Sequence, residues 1–317
     1  MGLRIQTNRL DDEPCKGDFQ SKAPSAHPTV VHVAGYYDSK TQAILQRYGP
    51  GPRVHYHTGL VDDLTPPDLS AEKLRQRLVA AQERMLYHAA NVWDAPSTLC
   101  GDVLDVGCGL GGGAIFWAQE HGARVTAVTC VASHVDWVAR FAAQAGVRSR
   151  VQPVLCDALA VPGESCFDAA VAVDSSCHLV RVEWFARLAS LLRPGGRILI
   201  ADCFLGRPEY EEPFNSYWHA RIGTIAEYLR AAEKAGLRLE SVQDISRRTE
   251  HFWITTVALT EAEARERTLG PVETARREAS MRAHTLLRQG LVDEGLHYAL
   301  MSFSKRQAGV PSGITGR

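Results

Sequence analysis

Short apolar runs alternate with helical segments between residues 99 and 201, and this alternation restricts the fold more than any other feature of the sequence. The pattern predicts five strands, at Val103–Val106, Val125–Thr129, Val151–Cys156, Ala169–Val173 and Arg197–Ala201. It predicts three helices between them, at Gly112–His121, Ala132–Ala145 and Val182–Leu192. Strands that alternate with helices of about 10–15 residues are typical of crossover connections and a parallel sheet. The predicted fold class is therefore α/β.

The rest of the chain adds a helical region before these strands and further strands after them. Apolar residues recur every three or four positions from Ser70 to Trp93, which predicts a long helix. Two later apolar runs, at 237–245 and 296–304, complete a doubly wound, seven-stranded, mostly parallel sheet. The predicted organisation is a flexible leader at 1–28, a helical lid segment at 29–97, a ligand-binding domain at 98–305 with a helical insertion at about 250–292, and a flexible tail at 306–317.

Composition excludes several classes of function. The 35 Lys and Arg residues balance the 36 Asp and Glu residues, so binding of nucleic acid through bulk positive charge is not expected. No apolar stretch approaches the roughly 18 residues of a membrane span, and residues 1–28 lack the apolar centre of a secretory signal. The eight cysteines show no zinc-ribbon or redox-dithiol spacing. We therefore expect a cytoplasmic protein that binds no nucleic acid, no membrane and no metal.

A glycine-rich turn joins the first predicted strand to the helix that follows it. Glycines at 107, 109 and 111 permit a tight turn and let a ligand approach the backbone closely. A nicotinamide dinucleotide site also uses such a turn, but it lacks an acid at the position of Asp105. A second acid, Asp157, follows the third predicted strand and is suited to accept from the amine of adenine. These two carboxylates favour an adenosyl amino acid over a dinucleotide.

Three segments, in this order along the chain, resemble the class I S-adenosylmethionine-dependent methyltransferases. They are the glycine-rich turn, the sequence FDAAV at 167–171, and the sequence LLRPGG at 191–196 with ILIAD at 198–202. The resemblance extends from about Tyr36 to Lys305. It implies a Rossmann-like methyltransferase fold and S-adenosylmethionine as the cofactor. It also implies a set of cofactor-binding residues, namely Tyr37, Gln82, Asp105, Gly107, Gly109, Gly111, Thr129, Asp157, Ala158 and Asp174.

One position departs from most of that family. The second predicted strand ends in Thr129, where most members have an acid that holds the ribose hydroxyls. This resembles the subgroup of cyclopropane-fatty-acid synthases, plant alkaloid N-methyltransferases and prenyl-diphosphate C-methyltransferases. The usual glutamine of that subgroup would fall at His134, and Gln82 is similar to a glutamine that faces the methionine portion of the cofactor. The segments YYD at 36–38 and HYHTG at 55–59 are most similar to aminoglycoside N-methyltransferases of the gentamicin-pathway type.

Three polar residues are candidate catalytic groups. His178 follows the fourth predicted strand, at the edge where open α/β sheets bind ligands, and is similar to the base of some small-molecule methyltransferases. Some sugar O-methyltransferases pair that histidine with an acid after the fifth strand, here Asp202, which could instead anchor a substrate ammonium. His57 is the third candidate, ahead of His55, and the ring of Tyr37 is expected over the sulfonium. The alternative for each residue is a purely structural role. His178 would then cap the next helix, Asp202 would end a strand, and His55, His57 and Tyr37 would pack against their neighbours.

The leading hypothesis is N-methylation of an aminosugar in antibiotic biosynthesis, a preference that depends on the resemblance. One alternative is a C-methyltransferase for a prenyl diphosphate, which would need magnesium and a basic cluster such as Arg221, Arg247 and Arg248. A sugar O-methyltransferase, a non-enzymatic cofactor-binding scaffold and a nicotinamide oxidoreductase are the remaining alternatives. Helical insertions of this kind often make dimers, so a homodimer is one hypothesis for the assembly.

Overall fold

Seven strands form one sheet in a computed structural model, which describes residues 28–62, 69–266 and 270–307. The strands are β1 Asp102–Val106, β2 Arg124–Thr129, β3 Val151–Leu155, β4 Phe167–Val173, β5 Leu192–Leu205, β6 Leu237–Asp244 and β7 Leu296–Lys305. They lie in the order β3-β2-β1-β4-β5-β7-β6. The first five run parallel, whereas β7 is antiparallel to both β5 and β6. The predicted mostly parallel, seven-stranded sheet is confirmed.

Ten α-helices in the described parts of the chain surround this sheet. They are α1 Pro28–Tyr48, α2 Ala71–Val92, α3 Ala95–Thr98, α4 Gly112–His121, α5 Ala132–Gln144, α6 Arg181–Leu191, α7 Glu211–Trp218, α8 Ile225–Lys234, α9 Ser246–Glu266 and α10 Pro271–Val292. None of these ten is both long enough and apolar enough to cross a membrane.

Each face of the sheet has its own apolar core. Along β1, Val103 belongs to the core that includes side chains of α2, α4 and α5, whereas Leu104 belongs to the core that includes side chains of α6 and α8. Because the central strands are buried on both faces, their sequences are mostly apolar. The chain leaves β1 toward β2 and β3 and then returns to β4. This reversal opens a crevice at the carboxyl ends of β1 and β4, where doubly wound sheets bind ligands.

Helices from both ends of the chain cover this crevice. α1 packs against α2 and α5, α2 also packs against α9, and α9 packs against α10. The start of α2 is capped by the Ser70 hydroxyl, which accepts a hydrogen bond from the amide of Lys73. Leu74, Leu78 and Met85 of this helix are fully buried. The covering layer is therefore part of the apolar core and not a loose appendage.

Some elements differ from their predicted extents. β5 continues to Leu205, beyond the predicted strand at 197–201, because β7 pairs with it from Arg197 to Leu205. Within the predicted helical lid segment at 29–97, the structure shows a continuous helix from Pro28 to Tyr48. The predicted leader up to residue 27 and the predicted tail from residue 308 lie outside the described residues.

Candidate active site

The glycine-rich turn between β1 and α4 adopts conformations that favour glycine. The φ angles of Gly107, Gly109 and Gly111 are +73°, +53° and +84°, all in the left-handed region. The amides of Gly107 and Cys108 donate to the carbonyl of Val128 at 3.0 and 2.9 Å, which fixes the turn against β2. A Cβ on Gly109 would meet nothing within 4 Å, so the backbone there is open to a ligand.

The third predicted glycine has a different role from the one expected. Gly111 does not line the ligand cleft, because a Cβ at this position would lie 3.0 Å from the side chain of Val138 on α5. The glycine therefore allows α4 and α5 to pack closely. Gly112 and Gly113 line the cleft instead. A Cβ on Gly112 would lie 2.5 Å from the carbonyl oxygen of Val54. The segment at 54–59, which we call the covering segment, therefore passes directly over the start of α4.

A cleft of about 170 Å³ lies above the turn and has an acid near each end. Asp105 is buried and has no hydrogen-bond partner among the described residues, and this burial raises its pKa from 3.8 to about 7. Asp157 lies beyond β3, beside Ala158, and one of its carboxylate oxygens accepts from the amide of Leu159 at 3.0 Å. Thr129 lines the cleft between these acids, and its hydroxyl accepts from the amide of Val131 at 3.1 Å.

His134, which stands where the resembling subgroup usually has glutamine and was assigned no role from the sequence, also lines this cleft. The hydroxyl of Thr41 donates to the carbonyl of Tyr37 and accepts from Nε2 of His134 at 2.9 Å. The other ring nitrogen, Nδ1, is buried without a partner in the described structure. Burial lowers the pKa of His134 to about 4, against the opposing effect of Asp38. Nδ1 therefore offers a lone pair to a hydroxyl or amine of the ligand.

The residues of the cleft fit an adenosyl amino acid. Asp105 is suited to accept from an ammonium, whereas Thr129, His134 and Asp157 are suited to the ribose hydroxyls and the amine of adenine. Glycine turns leave room for the sulfur and its substituents to lie against the backbone. A dinucleotide would instead place a pyrophosphate against the unpartnered carboxylate of Asp105, which is electrostatically unfavourable.

The pKa of Asp105 leads to a pH-dependent affinity for S-adenosylhomocysteine. An ammonium is bound by the ionised carboxylate, and this form is lost as the pH falls below about 7. We expect the affinity to rise by about tenfold per pH unit between about pH 5.5 and 7, and to level off above that range. Isothermal titration calorimetry across this range measures the effect.

Two controls isolate the carboxylate. Asp105→Asn should bind more weakly and lose the pH dependence. The affinity of the wild-type protein for 5′-methylthioadenosine, which has no amino-acid group, should not vary with pH in this way. Equal pH dependence for both ligands would contradict the assignment.

A second, larger cavity of about 970 Å³ adjoins the cleft beneath α9 and α10. The two compartments share six lining residues, which we call the junction: Tyr37, Ile44, Tyr56, His57, Asp174 and His178. A ligand in the cleft and a ligand in the larger cavity would therefore meet at the junction.

Tyr37 and His178 form a hydrogen-bonded pair at the junction. The Nδ1–H of His178 donates to the backbone carbonyl of His219 at 3.2 Å, so Nε2 carries the lone pair. The hydroxyl of Tyr37 donates to this Nε2 at 3.0 Å. Burial lowers the pKa of His178 to about 4, and burial raises the pKa of the Tyr37 hydroxyl well above its usual range. Both groups are therefore neutral near pH 7.

The predicted pairing of His178 with Asp202 is wrong. One carboxylate oxygen of Asp202 accepts from the Ser176 hydroxyl at 2.6 Å and from the Cys177 amide at 3.1 Å. The other oxygen accepts from the Cys203 amide at 2.8 Å. These donors fix Asp202 inside β5, and burial raises its pKa to about 7, with a further contribution from Asp174. Asp202 lines the larger cavity but does not orient the histidine.

His57, a candidate catalytic residue from the sequence, lies at the junction. Its Nδ1 lies 2.9 Å from the carbonyl of Thr58, so Nδ1 carries the hydrogen. Its Nε2 is buried without a partner among the described residues. Burial, and then the neighbouring His55, lower its pKa to about 3. The ring is therefore a neutral acceptor beside the reacting atoms.

Gln82 lines the larger cavity and not the smaller cleft, so its predicted contact with the cofactor stays a prediction. Its amide nitrogen donates to the carbonyls of His55 and His57, at 3.3 and 2.9 Å, and so fixes the covering segment on α2. Its amide oxygen has no partner in the described parts of the chain.

Asp174 ends β4 with a φ of +47° and fastens the covering segment to the sheet. Its carboxylate accepts from the amide and the hydroxyl of Thr58, the latter at 2.8 Å, and from the Tyr298 hydroxyl at 2.7 Å. Burial raises its pKa, although these hydrogen bonds act in the opposite direction. Asp174 lines both compartments, but its oxygens are occupied by protein donors, so a direct bond to the cofactor is not its main role.

The larger cavity combines aromatic walls with cations. Phe214, Trp218, Phe252 and Trp253 line it together with several tyrosines. The Lys40 ammonium lies 4.6 Å from the ring centre of Tyr36, and no acid in the described residues pairs with it. The predicted basic cluster of Arg221, Arg247 and Arg248 does not line this cavity. The cations that line it include Lys40, Arg47 and Arg276. Burial, and then Arg47 and Arg276, lower the pKa of Lys40 to about 8.

Comparison with known proteins identifies relatives of one kind of enzyme. A family model described as a methyltransferase domain matches residues 103–196. The chain is 31% identical to an O-methyltransferase of Pyrenophora dematioidea, over 61% of this chain and 68% of that protein. It is 28% identical to a geranyl diphosphate 2-C-methyltransferase of Streptomyces lasalocidi, over 72% of this chain and 80% of that protein.

A solved structure has the same fold. It is a geranyl diphosphate methyltransferase in complex with geranyl diphosphate and sinefungin, with a TM-score of 0.73 and 21% identity. The match covers 88% of this chain and all of the other. In the parts of the chain that the structure describes, no three metal-ligating side chains gather into a site.

Proposed function

The chain belongs to the S-adenosylmethionine-dependent methyltransferases, and we propose that it methylates a nitrogen or oxygen atom of a small natural product. The relatives act on different atoms, since one is an O-methyltransferase and another a C-methyltransferase. Similarity alone therefore does not choose the acceptor, and the polar groups of the junction carry the proposal.

The Tyr37–His178 pair is the observation that supports a nucleophile with a removable proton. The hydroxyl proton of Tyr37 points at His178, so the lone pairs of the Tyr37 oxygen remain free to accept from an N–H or O–H group. Nε2 of His57 and the amide oxygen of Gln82, which have no partner among the described residues, are two further acceptors. An alkene carbon has no hydrogen-bond donor for any of these atoms, whereas an amine has up to two.

Bound in the cleft, S-adenosylmethionine supplies an electrophilic methyl group on a positively charged sulfur. The neutral amine or hydroxyl forms the new bond to this methyl carbon while the carbon–sulfur bond breaks. The nucleophile's proton passes to the Tyr37 oxygen as the Tyr37 proton passes to Nε2 of His178. Because the pKa of His178 is about 4, Nε2 is unprotonated at neutral pH and free to accept this proton, and the imidazolium passes it to water when the products leave. The rest of the site aligns the reactants and excludes water.

We propose an aminosugar amine as the first candidate nucleophile, on the strength of the resemblance of the segments at 36–38 and 55–59. The second candidate is C-methylation of a prenyl diphosphate. Two observations favour it: the relatives that act on geranyl diphosphate, and the unpaired Lys40 in an aromatic cavity. Rings would pack against the prenyl chain, and Lys40 and Arg276 would attract the diphosphate.

An acceptor panel decides between these candidates. We expect the purified protein to transfer labelled methyl groups to aminoglycoside intermediates, and to lose this transfer when the reacting amine is replaced by hydrogen. Geranyl diphosphate with magnesium is tested in parallel. Product formation is followed by mass spectrometry.

The variant Lys40→Met separates the outcomes further. It should leave amine methylation unchanged or improved, whereas it should strongly reduce methylation of a diphosphate. Transfer only to the diphosphate would overturn the first proposal in favour of the second. Binding of S-adenosylhomocysteine without any transfer would favour the non-enzymatic alternative.

A further inference from the structure

Two buried polar atoms on the wall of the cofactor cleft have no partner in the described structure. They are Nδ1 of His55 in the covering segment and Nε1 of Trp117 on α4. Both residues line the cleft, yet the side chain of His55 is only 1% exposed and Trp117 is fully buried. A buried polar atom without a partner is costly, so these atoms point to a ligand.

The hydrogen bonds of His55 determine what its free nitrogen offers. Nε2 of His55 lies 2.7 Å from a carboxylate oxygen of Glu83, which can only accept, so Nε2 carries the hydrogen. Glu83 is in turn bound by Arg53 at 3.1 Å, and Arg53 also pairs with Glu120. In the neutral ring, Nδ1 is therefore a hydrogen-bond acceptor held in place by an ionic network.

The two atoms lie at the same end of the cleft. A Cβ on Gly112 would lie 2.5 Å from Nδ1 of His55. A Cβ on Gly113 would lie 3.5 Å from the Asp105 carboxylate and 3.6 Å from Nε1 of Trp117. Two acceptors, Nδ1 of His55 and the Asp105 carboxylate, therefore lie near the start of α4 together with one donor, Nε1 of Trp117.

The start of α4 adds further donors. The helical hydrogen bonds begin with Ile115, whose amide donates to the carbonyl of Gly111, so Gly112 and Gly113 precede the first intrahelical donor. Free amides at a helix N-terminus favour a negatively charged group. Acceptors for a cation and donors for an anion therefore stand side by side.

We propose that His55, backed by Glu83, and Trp117 recognise the zwitterionic amino-acid end of the cofactor, an inference that rests on the proposed cofactor. His55 and Asp105 accept from the α-ammonium. Trp117 and the first amides of α4 donate to the α-carboxylate. The segment at 55–59 thereby has a role in cofactor selection in addition to its role at the junction.

Calorimetry with two ligands tests this site without any acceptor. S-adenosylhomocysteine carries the amino-acid end, whereas 5′-methylthioadenosine has the same adenosine and sulfur without it. We expect Trp117→Phe and His55→Gln each to weaken S-adenosylhomocysteine by roughly 5- to 100-fold and to leave 5′-methylthioadenosine almost unchanged. His55→Gln retains a donor for Glu83 while it removes the acceptor at Nδ1.

His121→Gln on the same helix is the matched control, because His121 has an unpartnered nitrogen but does not line the cleft. It should leave both affinities unchanged. Equal losses for the two ligands, or no loss for either, would overturn the inference. If the wild-type protein bound neither ligand, the proposed cofactor would fail as well, whereas failure of the acceptor panel alone would leave this site standing.

Discussion

Replacing His178 with alanine should lower kcat by roughly 10²–10⁴-fold, the contribution expected from a positioned general base. The reason is that the proton accepted by the Tyr37 oxygen then has no destination in the junction. Tyr37→Phe should give a loss of similar size because it removes the link between nucleophile and base. Affinity for S-adenosylhomocysteine should change little in either variant. Steady-state kinetics with the acceptor identified in the panel, together with calorimetry, measures both effects.

The double variant provides the sharper readout. If Tyr37 and His178 act as one relay, the Tyr37→Phe/His178→Ala protein should be little worse than either single variant. His88→Gln is the control, since this half-buried histidine contacts Arg248 and lies outside the junction. A loss confined to the acceptor KM would instead make His178 a residue that positions the substrate. Additive losses would contradict a shared relay.

Replacing Gly112 with valine should strongly weaken the binding of S-adenosylhomocysteine. Its first side-chain carbon would lie 2.5 Å from both the Val54 carbonyl oxygen and Nδ1 of His55, and backbone atoms cannot yield as a flexible side chain does. Relieving such a contact costs about 1–3 kcal/mol, which corresponds to roughly 5- to 150-fold in affinity. Displacing the covering segment would also remove one wall of the cleft. Calorimetry and a thermal melt of the same sample measure binding and folding separately.

Gly35→Ala is the matched control, because a Cβ at Gly35 of α1 would meet nothing within 4 Å. This variant should retain full affinity. Gly107→Val would be a poorer test, since its Cβ would lie 2.6 Å from that of Ser175 and would disturb the end of β4 directly. Unchanged affinity in a folded Gly112→Val protein would show that the covering segment is free to move away from α4.

The sheet was predictable from sequence because buried parallel strands and glycine turns leave local signals. The runs at 103–106 and 125–129 are buried on both faces and mostly apolar, and the turn at 107–111 has three glycines in the left-handed region. These signals involve neighbours in the chain, so one sequence is enough to show them. Asp105 was identified from its place two residues before the first glycine, and Asp157 from its place after the third predicted strand.

The partners of polar side chains were not predictable in the same way. His178 follows β4 and Asp202 lies within the adjacent strand β5. Only the structure shows that Ser176, Cys177 and Cys203 already donate to the Asp202 carboxylate. The correct partner of His178 is Tyr37, which is 141 positions away in the chain. Such pairings depend on how α1 lies over the sheet, and no local pattern encodes that packing.

The role of Gly111 shows a further limit of motif reasoning. Its place in the glycine pattern suggests contact with the ligand, whereas its φ of +84° and its approach to Val138 serve the packing of two helices. The residues that do face the ligand beside it, Gly112 and Gly113, fall outside the spacing that the motif emphasises. A pattern identifies the turn, but the direction in which each glycine faces depends on the neighbouring helix.

Asp174 links the chemistry of a single turnover to the pace of successive turnovers. Thr58 belongs to the segment that lines the cleft, and releasing that segment to widen the exit for spent cofactor breaks two hydrogen bonds to one carboxylate. Bonds of this kind contribute about 1.5–3 kcal/mol each, so the released state is rarer than the fastened one by roughly 10²–10⁴-fold. The two hydrogen bonds from Thr58 to Asp174 hold the segment over the reactive sulfonium and limit its hydrolysis. The same two hydrogen bonds slow the exchange of spent cofactor for fresh cofactor.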